Sequence, residues 1–381
     1  MLPSLKRRRD LRLFMTADAV GGVWRYALDL ARALGPQGVT TTLAVLGPPP
    51  AADQAREARA VAGLRLLRTG LPLDWMAPSG ETVETARAAL AALAQEDRPD
   101  LVHLNSPSLA AATRFPAPVL AVAHSCVATW WEAVRSGPLP PDFAWRTDLT
   151  AHGYRAVDAL VAPSRAFAEA TARAYDLPVA PQVVHNGRRL VAPRDGVRPA
   201  APPSFAFTAG RLWDEGKNLA ALDRAAARLA IPVLAAGPTE GPNGAGIGLE
   251  HVRALGRLGE GDIARWLAAG PVFVSTARYE PFGLAVLEAA QAGCPLVLAD
   301  IPTFRELWAG AAEFVPPDDA IAIAAAIDRV SRDARHRARL SEAARERSRD
   351  YTVEGMAEGL LGIYDRLMSR DPASSSREAA A

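Results

Sequence analysis

The sequence predicts an α/β protein composed of two Rossmann-like βαβ domains that face each other across a cleft. Three observations lead to this fold class. A chain of 381 residues is long for one domain but sufficient for two, each with its own core. Short apolar runs alternate with amphipathic segments, which is the pattern of βα units in a parallel sheet. The alternation is interrupted once, from Arg188 to Pro203, where four prolines without apolar periodicity indicate a linker.

The first domain is predicted to span residues 1–190. It begins with a strand over Leu11–Thr16, a glycine loop and a helix over Trp24–Leu34 that Gly35 and Pro36 end. The further strands expected in this domain are Thr40–Leu46, Leu101–Leu104, Pro118–Ala123, Ala159–Ala162 and Pro181–His185, separated by helical patterns such as Glu81–Gln95 and Ser164–Tyr175.

Residues 191–203 are predicted to be the linker, and residues 204–350 the second domain. Helical patterns close the chain, and the helix within residues 351–370 is expected to pack back on the first domain. Residues 371–381 have the composition of a disordered tail. Because open α/β sheets bind ligands at the carboxyl ends of their strands, we expect the functional site where the domains meet. The strands expected in the second domain are Ser204–Ala209, Pro232–Ala236, Val272–Ser275, Pro295–Leu298 and Ala312–Val315.

The composition is that of a folded globular protein, since 49% of the residues are hydrophobic and 22% are charged. A net charge of +1 provides no field that would recruit nucleic acid. The dense basic run Lys6–Arg9 is either a solvated arm or a weak peripheral contact with anionic membrane lipid.

Cys126 and Cys294 lack the spacing of a disulfide framework or a zinc site. No long apolar run and no signal peptide are found, so a cytoplasmic protein is expected.

The most specific pattern follows a predicted strand and runs from Arg278 to Glu288. Pro281 and Gly283 mark the start of a helix, where backbone N–H groups and the helix dipole favour an anion. Glu288 lies about one turn into that helix, where a carboxylate can accept hydrogen bonds from the hydroxyls of a ribose. Glu280, in the loop before the helix, is placed to meet another part of the same ligand. Either glutamate alone would also fit a solvated helix end, but the complete segment does not.

A second pattern, Gly210–Asn218, follows the strand that ends at Ala209. A P-loop has fewer residues between its glycine and its Gly-Lys pair and then carries Ser or Thr, so a P-loop is excluded. Arg211 and Lys217 remain, a forked donor and a point charge suited to a diphosphate. Only two of the 43 basic residues are lysines, so Lys217 is an unusual choice for a generic surface cation. A solvated loop is the alternative.

Two further features stand at the ends of predicted strands. Gly21 and Gly22 allow close approach of the backbone to a phosphate or sugar, although glycine pairs are also common in loops. His124 ends its strand at the lip of the predicted cleft, whereas an isolated histidine is more often structural. His103 lies inside a strand and is predicted to be in the core.

Several enzyme classes are disfavoured. The dinucleotide fingerprint G-x-G-x-x-G is absent and no acidic residue ends the second strand, which disfavours a nicotinamide dehydrogenase. No histidine, cysteine or carboxylate cluster has the spacing of metal ligands, and neither H-E-x-x-H nor G-x-S-x-G occurs.

These motifs together resemble glycosyltransferase family 4, a family of retaining enzymes with the GT-B fold. The resemblance covers roughly residues 11–365 and is most specific in the second half. Glu280 and Glu288 match the family's Glu-x7-Glu pair. Arg211 and Lys217 match its diphosphate-binding element.

The glycine loop also matches the family, and His124 matches the histidine that lies near the transferred sugar. There are two departures. After an Asn-Gly turn the family has a hydrophobic residue and an acid, whereas this chain has Arg188 and Arg189, a change expected to affect the linker alone. Many members have Asp after the histidine, whereas this chain has Ser125, which leaves the partner of His124 open.

The resemblance implies transfer, with retention, of a hexose-type sugar from a UDP- or GDP-sugar bound in the interdomain cleft. The cations and the backbone N–H groups at the helix start would neutralise the leaving diphosphate. Glu288 would hold the ribose, Glu280 would position the sugar, and His124 would donate to or shield its reacting side. The implied donor-binding residues are Gly21, Gly22, Arg211, Lys217, Glu280, Phe282, Gly283, Leu284 and Glu288, and the implied catalytic residues are His124, Glu280, Arg211 and Lys217.

The nucleotide sugar is a substrate, and no metal or other cofactor is expected because protein cations take the metal's role. The acceptor is a glycan, a lipid-linked molecule or a small molecule. Trp130 and Trp131 either stack on an acceptor sugar or belong to the core. Two alternatives are kept: a nucleotide-sugar epimerase or hydrolase of the same fold, and a non-catalytic nucleotide-sugar sensor.

Overall fold

The computed structural model describes residues 10–193, 201–242 and 244–369. The basic run Lys6–Arg9 and the predicted tail 371–381 lie outside these ranges, as does the middle of the predicted linker. The described strands form two parallel sheets, which confirms the predicted fold class of two Rossmann-like domains.

The N-terminal sheet has seven strands, and its fully buried strands are near-continuous apolar runs, as expected where both faces of a parallel sheet are covered. The strands are β1 (Leu11–Asp18), β2 (Val39–Leu46), β3 (Leu64–Arg68), β4 (Leu101–Leu104), β5 (Val119–Val122), β6 (Ala159–Ala162) and β7 (Gln182–Val183), in the order β3-β2-β1-β4-β5-β6-β7. The helices are α1 (Gly22–Leu34), α2 (Ala52–Arg59), α3 (Gly80–Asp97), α4 (Val127–Val134), α5 (Pro141–Ala156) and α6 (Arg165–Ala174).

The C-terminal sheet has six strands. They are β8 (Ala206–Ala209), β9 (Val233–Ala236), β10 (Val252–Ala254), β11 (Val272–Ser275), β12 (Leu296–Ala299) and β13 (Glu313–Val315), in the order β10-β9-β8-β11-β12-β13. The helices are α7 (Leu219–Ala226), α8 (Glu260–Ala268), α9 (Leu284–Gln291), α10 (Pro302–Trp308), α11 (Ala320–Arg332), α12 (Ala334–Ser348) and α13 (Val353–Met368).

Strands β3 and β10 were not predicted from the sequence. Both lie at the edge of a sheet and carry arginines on exposed positions. An edge strand is paired on one side only and tolerates charge, so it lacks the buried apolar run that identifies central strands. The sheet position of these segments was therefore decided by tertiary pairing.

Helix α13 follows the second domain in sequence but packs in the core of the first. It contacts α1, and its Leu360 and Tyr364 are fully buried in the cluster formed by β1 and α1. The hydroxyl of Tyr364 lies 2.6 Å from Nδ1 of His103, which is itself buried in β4. The chain thus crosses twice between the domains.

The two crossings touch each other at Gly187 and Thr352. A Cβ on Gly187 would lie 2.0 Å from the carbonyl oxygen of Thr352, which no side chain can accommodate without backbone movement. Thr352 is the N-cap of α13, and its hydroxyl accepts a hydrogen bond from the backbone N–H of Gly355 (3.1 Å). The requirement for glycine here is therefore steric and local to the place where both chain segments pass.

Candidate active site

The loops that follow β8 and β11 bring together the charged residues singled out in the sequence. Because these strands are adjacent and parallel, their carboxyl ends lie side by side at the same edge of the sheet. Arg211, Lys217 and Glu280 line one small cavity of about 20 Å³, together with Ala285 from the first turn of α9. Such a volume is sufficient for a single water molecule.

Lys217 ends a 3-10 turn over Glu215–Lys217 and is fixed by the next residue. Asn218 has a left-handed backbone (φ 54°), and its amide donates to the carbonyl oxygens of Thr276 (3.1 Å) and Pro317 (2.7 Å). The ammonium of Lys217 lies 2.6 Å from Oε2 of Glu280. The predicted phosphate-binding cation and the predicted sugar-positioning carboxylate therefore form an ion pair in this structure.

Arg211 is held by a carboxylate that the sequence analysis did not identify. Its Nη2 donates to Oδ2 of Asp214 (2.8 Å), while Oδ1 accepts from the indole of Trp130 (3.1 Å). Burial raises the pKa of Asp214, but the charges of Arg211 and Lys217 outweigh it and bring the pKa below its ordinary value. Asp214 is therefore ionised, and its hydrogen bond orients the guanidinium of Arg211.

Helix α9 starts at the glycine that the sequence indicated. Gly283 has φ 96° and ψ 62°, a left-handed conformation that glycine adopts without strain. Phe282 is buried and packs edge-on against Tyr351 at 5.6 Å between ring centroids. The carbonyl of Pro281 accepts a hydrogen bond from the hydroxyl of Ser164 in the first domain (2.7 Å). The start of α9 is thus fixed from both domains.

The glycine loop lies opposite these groups, across the cleft. Oδ1 of Asp18 accepts hydrogen bonds from the backbone N–H groups of Val20 (2.8 Å) and Gly21 (3.2 Å). A Cβ on Gly21 would lie 3.6 Å from Nη1 of Arg211. A Cβ on Gly22 would lie 3.5 Å from Leu284, so any longer side chain in the loop would enter the cleft. Burial raises the pKa of Asp18, against the opposing effect of these N–H groups and Arg211.

His124 follows β5, and its partner is Asn105, at the end of β4. The amide Nδ2 of Asn105 donates to the carbonyl of Thr16 (2.7 Å), so its Oδ1 is the atom that accepts, and Nε2 of His124 lies 2.7 Å from that oxygen. Nε2 therefore carries the proton and Nδ1 is left as an acceptor. Burial lowers the pKa of His124 to about 3, so the ring is neutral at neutral pH. The ring also packs edge-on against Tyr26, with 4.5 Å between centroids.

Glu288 does not line the small cavity but lies at the hinge between the domains. Its Oε1 accepts a hydrogen bond from Nε of Arg188 at 2.7 Å. The expectation that Arg188 affects the linker alone is wrong, because its side chain is buried in a cluster of carboxylates from both domains. Local sequence could not show this, since the partners come from three separate helices.

The tryptophan pair lies at the domain interface. Trp130 donates to Asp214, as described, and Trp131 donates to the carbonyl of Gly137 (2.9 Å) and packs edge-on against Phe143 at 5.6 Å. Both rings are half-buried. Nearby, the hydroxyl of Tyr279 from the second domain lies 3.1 Å from the backbone N of Cys126. Trp130 therefore has a structural role in holding the loop of Arg211 and Lys217.

Within the described ranges, no three histidine, cysteine or carboxylate side chains are close enough together to ligate a metal ion. No helix of the described part of the chain has the length and hydropathy needed to cross a bilayer.

Comparison with known proteins gives matches in both halves of the chain. Residues 20–190 match the family model Glycosyltransferase Family 4, and residues 246–347 match Glycosyl transferases group 1. A D-inositol 3-phosphate glycosyltransferase from Nocardioides is 25% identical over 92% of this chain and 86% of its own length. A lipopolysaccharide core biosynthesis mannosyltransferase, LpsB of Rhizobium meliloti, is 31% identical, but the match covers 28% of this chain and about a third (32%) of the relative.

Solved structures share the whole architecture at low identity. Sucrose-phosphate synthase from Thermosynechococcus elongatus matches with a TM-score of 0.78 and 20% identity, over 94% of this chain and 99% of that one. Anabaena HepE, solved in complex with UDP and glucose, matches with a TM-score of 0.70 and 18% identity, over 94% of this chain and 100% of that one. At these identities the likeness shows the fold, which is GT-B.

Proposed function

Since this chain is a glycosyltransferase of the family 4 and group 1 type with the GT-B fold, we propose that it transfers a hexose-type sugar, with retention, from a UDP- or GDP-sugar. The donor lies in the interdomain cleft, and the acceptor reacts from the N-terminal side. The observation that carries the proposal is the convergence of Arg211, Lys217 and Glu280 with the first turn of α9 in one cavity.

The diphosphate is bound by two cations and a helix start. Arg211 presents a guanidinium already oriented by Asp214, and Lys217 adds a point charge. The N–H groups of the first turn of α9 lack intrahelical partners and point toward an anion placed before Gly283. Because negative charge grows on the diphosphate as it leaves, these fixed groups favour the transition state over the bound donor.

Two side chains act on the sugar. Glu280 contacts Lys217 and so lies beside the phosphates, where its carboxylate accepts hydrogen bonds from sugar hydroxyls. His124 is neutral and has its N–H committed to Asn105. Its Nδ1 therefore accepts a hydrogen bond from a hydroxyl of the sugar or the acceptor, which refines the expectation that this histidine donates.

The reaction replaces one bond at the anomeric carbon with another on the same face. The bond from that carbon to the β-phosphate oxygen breaks, and a bond to the acceptor oxygen forms. The acceptor's proton passes to the departing phosphate, whose charge Arg211 and Lys217 balance. No step requires a metal ion, because the protein supplies the charge that a divalent ion would otherwise provide. That HepE was solved with UDP and glucose supports a nucleotide sugar as donor.

A binding experiment tests this proposal. Melting temperatures are measured with UDP, GDP and ADP, since a ligand that binds only the folded protein raises the melting temperature. One nucleotide should raise it for the wild type. Lys217→Ala should weaken that binding by about 1.5–3 kcal/mol, as expected for a charge-assisted hydrogen bond.

The matched control is Arg224→Ala, which removes an exposed cation from α7 in the same domain. It should bind the nucleotide like the wild type. If none of the three nucleotides stabilises the protein, or if Lys217→Ala turns over donor at the wild-type rate, the proposal is wrong. If the donor is cleaved to free sugar whichever acceptor is supplied, the hydrolase alternative is indicated instead.

A further inference from the structure

Arg188 occupies an unusual position between the two domains. Its side chain is only 2% exposed, and its three guanidinium nitrogens reach three different carboxylates. Nη1 pairs with Asp29 of α1 in the first domain, and Nη2 pairs with Glu260 at the start of α8 in the second. Nε donates to Oε1 of Glu288 on α9 at 2.7 Å. A single guanidinium therefore connects both domains to the glutamate proposed to bind ribose.

The surrounding charges balance. Four arginines and four carboxylates of the described residues form the hinge cluster: Arg25, Arg32, Arg188, Arg189, Asp29, Glu57, Glu260 and Glu288. Burial lowers the pKa of Arg188, but attraction to Glu288 and Asp29 more than compensates and raises it above its ordinary value. The side chain remains charged, and a buried charge of this kind fixes its partners in place.

The backbone of Arg188 is fixed as well as its side chain. Its carbonyl accepts a hydrogen bond from the amide of Gln291 on α9 (2.6 Å), and its N–H points to the carbonyl of Tyr351 (3.4 Å). The preceding residue, Gly187, lies against Thr352 with no room for a side chain. Arg188 therefore stands at the point where the two chain crossings meet, with both its backbone and its side chain bonded to neighbouring elements.

From this geometry we infer that Arg188 is a positioning residue for donor binding: by linking α1 of the first domain to α8 and α9 of the second, it holds the carboxylate of Glu288 in the orientation that binds the nucleotide. Arg188 donates to Oε1 of Glu288, and the ribose hydroxyls would then bind the second carboxylate oxygen, Oε2. This inference rests on the proposed function and on the expectation from the sequence that Glu288 binds the ribose of the donor.

Replacing Arg188 with lysine removes the three-nitrogen guanidinium but keeps the positive charge. An ammonium is a single point and cannot reach three carboxylates on three helices. Arg188→Lys should weaken binding of the bare nucleoside diphosphate (whichever of UDP, GDP and ADP binds the wild type) by about tenfold in calorimetry, the lower end of the effect of losing a charge-assisted hydrogen bond.

A double-mutant cycle separates positioning from general stability. In a Glu288→Ala background there is no carboxylate to position, so Arg188→Lys should change the affinity less than about twofold. The matched control is Arg189→Lys, whose side chain is 44% exposed and whose three carboxylate contacts are longer, at 3.4 to 3.8 Å. It should also change the affinity less than about twofold. Should Arg188→Lys not fold, Asp29→Asn removes the anchor on α1 and should show the same dependence on Glu288.

The outcomes are distinct. If the wild type binds none of the three nucleotides, the proposed function is wrong and this inference falls with it. If the wild type binds but Arg188→Lys binds equally well, or loses the same factor with and without Glu288, only the inference is wrong. A lower melting temperature with unchanged affinity would likewise overturn it, since that is the result of a merely structural role.

Discussion

The charged residues proposed to bind the donor each contact an opposite charge within the protein. Lys217 pairs with Glu280, Arg211 with Asp214, and Glu288 with Arg188. Buried or half-buried charges are costly unless paired, so these contacts stabilise the site before any ligand arrives. They also mean that the donor must share or displace an internal partner, which makes specific predictions for single substitutions.

Substitutions of Glu280 and Glu288 should have different effects on binding and turnover. Glu280→Gln removes the partner of Lys217 and leaves that ammonium available to phosphate, so bare nucleoside diphosphate should bind at least as tightly as to the wild type. Turnover should nevertheless fall sharply, because the partner of Glu280 is present only on the intact donor. Glu288→Ala should weaken nucleoside diphosphate binding by about 1.5–3 kcal/mol. Calorimetry beside initial rates separates the cases, and equal losses of affinity would show that the sugar subsite is misplaced.

The buried histidine of β4 predicts a pH dependence of stability. Burial lowers the pKa of His103 to about 3, whereas it is about 6.5 in an unfolded chain. Below pH 6.5 the unfolded chain binds a proton that the folded protein does not, so the free energy of unfolding falls by about 1.4 kcal/mol per pH unit. His103→Gln keeps a hydrogen-bonding group for Tyr364 and should lose about 2 kcal/mol less than the wild type between pH 6.5 and 5.

Denaturant unfolding at the two pH values measures this difference. His152→Gln is the control, because it removes a histidine whose ring is exposed on α5 instead of buried in the core. Identical losses for the wild type and His103→Gln would show that the ring is protonated in the folded protein.

Helix α13 packs in a different domain from the one that it follows in the sequence. It follows the second domain but supplies a face of the first domain's core, next to α1 and β1. Its amphipathic pattern indicates a helix with one buried side, and the sequence leads us to expect that side against the first domain. The turn at Tyr351 and Thr352, where the chain passes against Gly187, directs the helix to that domain.

Truncating a buried residue of α13 should therefore destabilise the first domain. Leu360 is fully buried in that core, so Leu360→Ala should lower the free energy of unfolding by about 2–5 kcal/mol. Glu358→Ala, on the exposed side of the same helix, should change it by less than about 0.5 kcal/mol. Chemical denaturation of both variants checks this, and a Leu360→Ala protein as stable as the Glu358→Ala protein would contradict the packing described.

At the scale of the whole molecule, the cleft is closed by contacts from both domains. Ser164 binds the loop before α9, and Tyr279 reaches the start of α4. The carboxylate of Glu306 on α10 accepts the backbone N–H groups of Arg165 (2.8 Å) and Ala166 (2.7 Å), at the start of α6. These contacts assemble one site from two sheets, so the electrostatic character of the cleft is a property of the closed molecule.

That electrostatic character predicts activity without a metal ion. Two cations and the start of α9 face the proposed diphosphate, which leaves little charge for a divalent ion to neutralise. Sugar transfer should keep its rate within about twofold in saturating EDTA, measured as nucleotide release. A complete loss of activity that added Mg²⁺ or Mn²⁺ restores would show that this account of the diphosphate site is wrong.

The sequence by itself determined the fold class and the candidate donor residues. Both depend on local patterns: buried apolar strands, the linker prolines, and loops that directly follow strands. Arg211 follows β8 and Glu280 follows β11, and neighbouring parallel strands end at the same edge. Their proximity was therefore predictable from sequence, while their roles in catalysis stay predictions.

Only the tertiary structure decided which partners these residues have. Asn105 lies 19 positions from His124 in sequence, and Asp29 lies 159 positions from Arg188. No periodicity or spacing records such contacts, because they depend on how separate helices and strand ends pack. The same physics placed edge strands β3 and β10. Local sequence propensity specifies the helices and strands. The site is specified by how distant segments pack together and pair their buried charges.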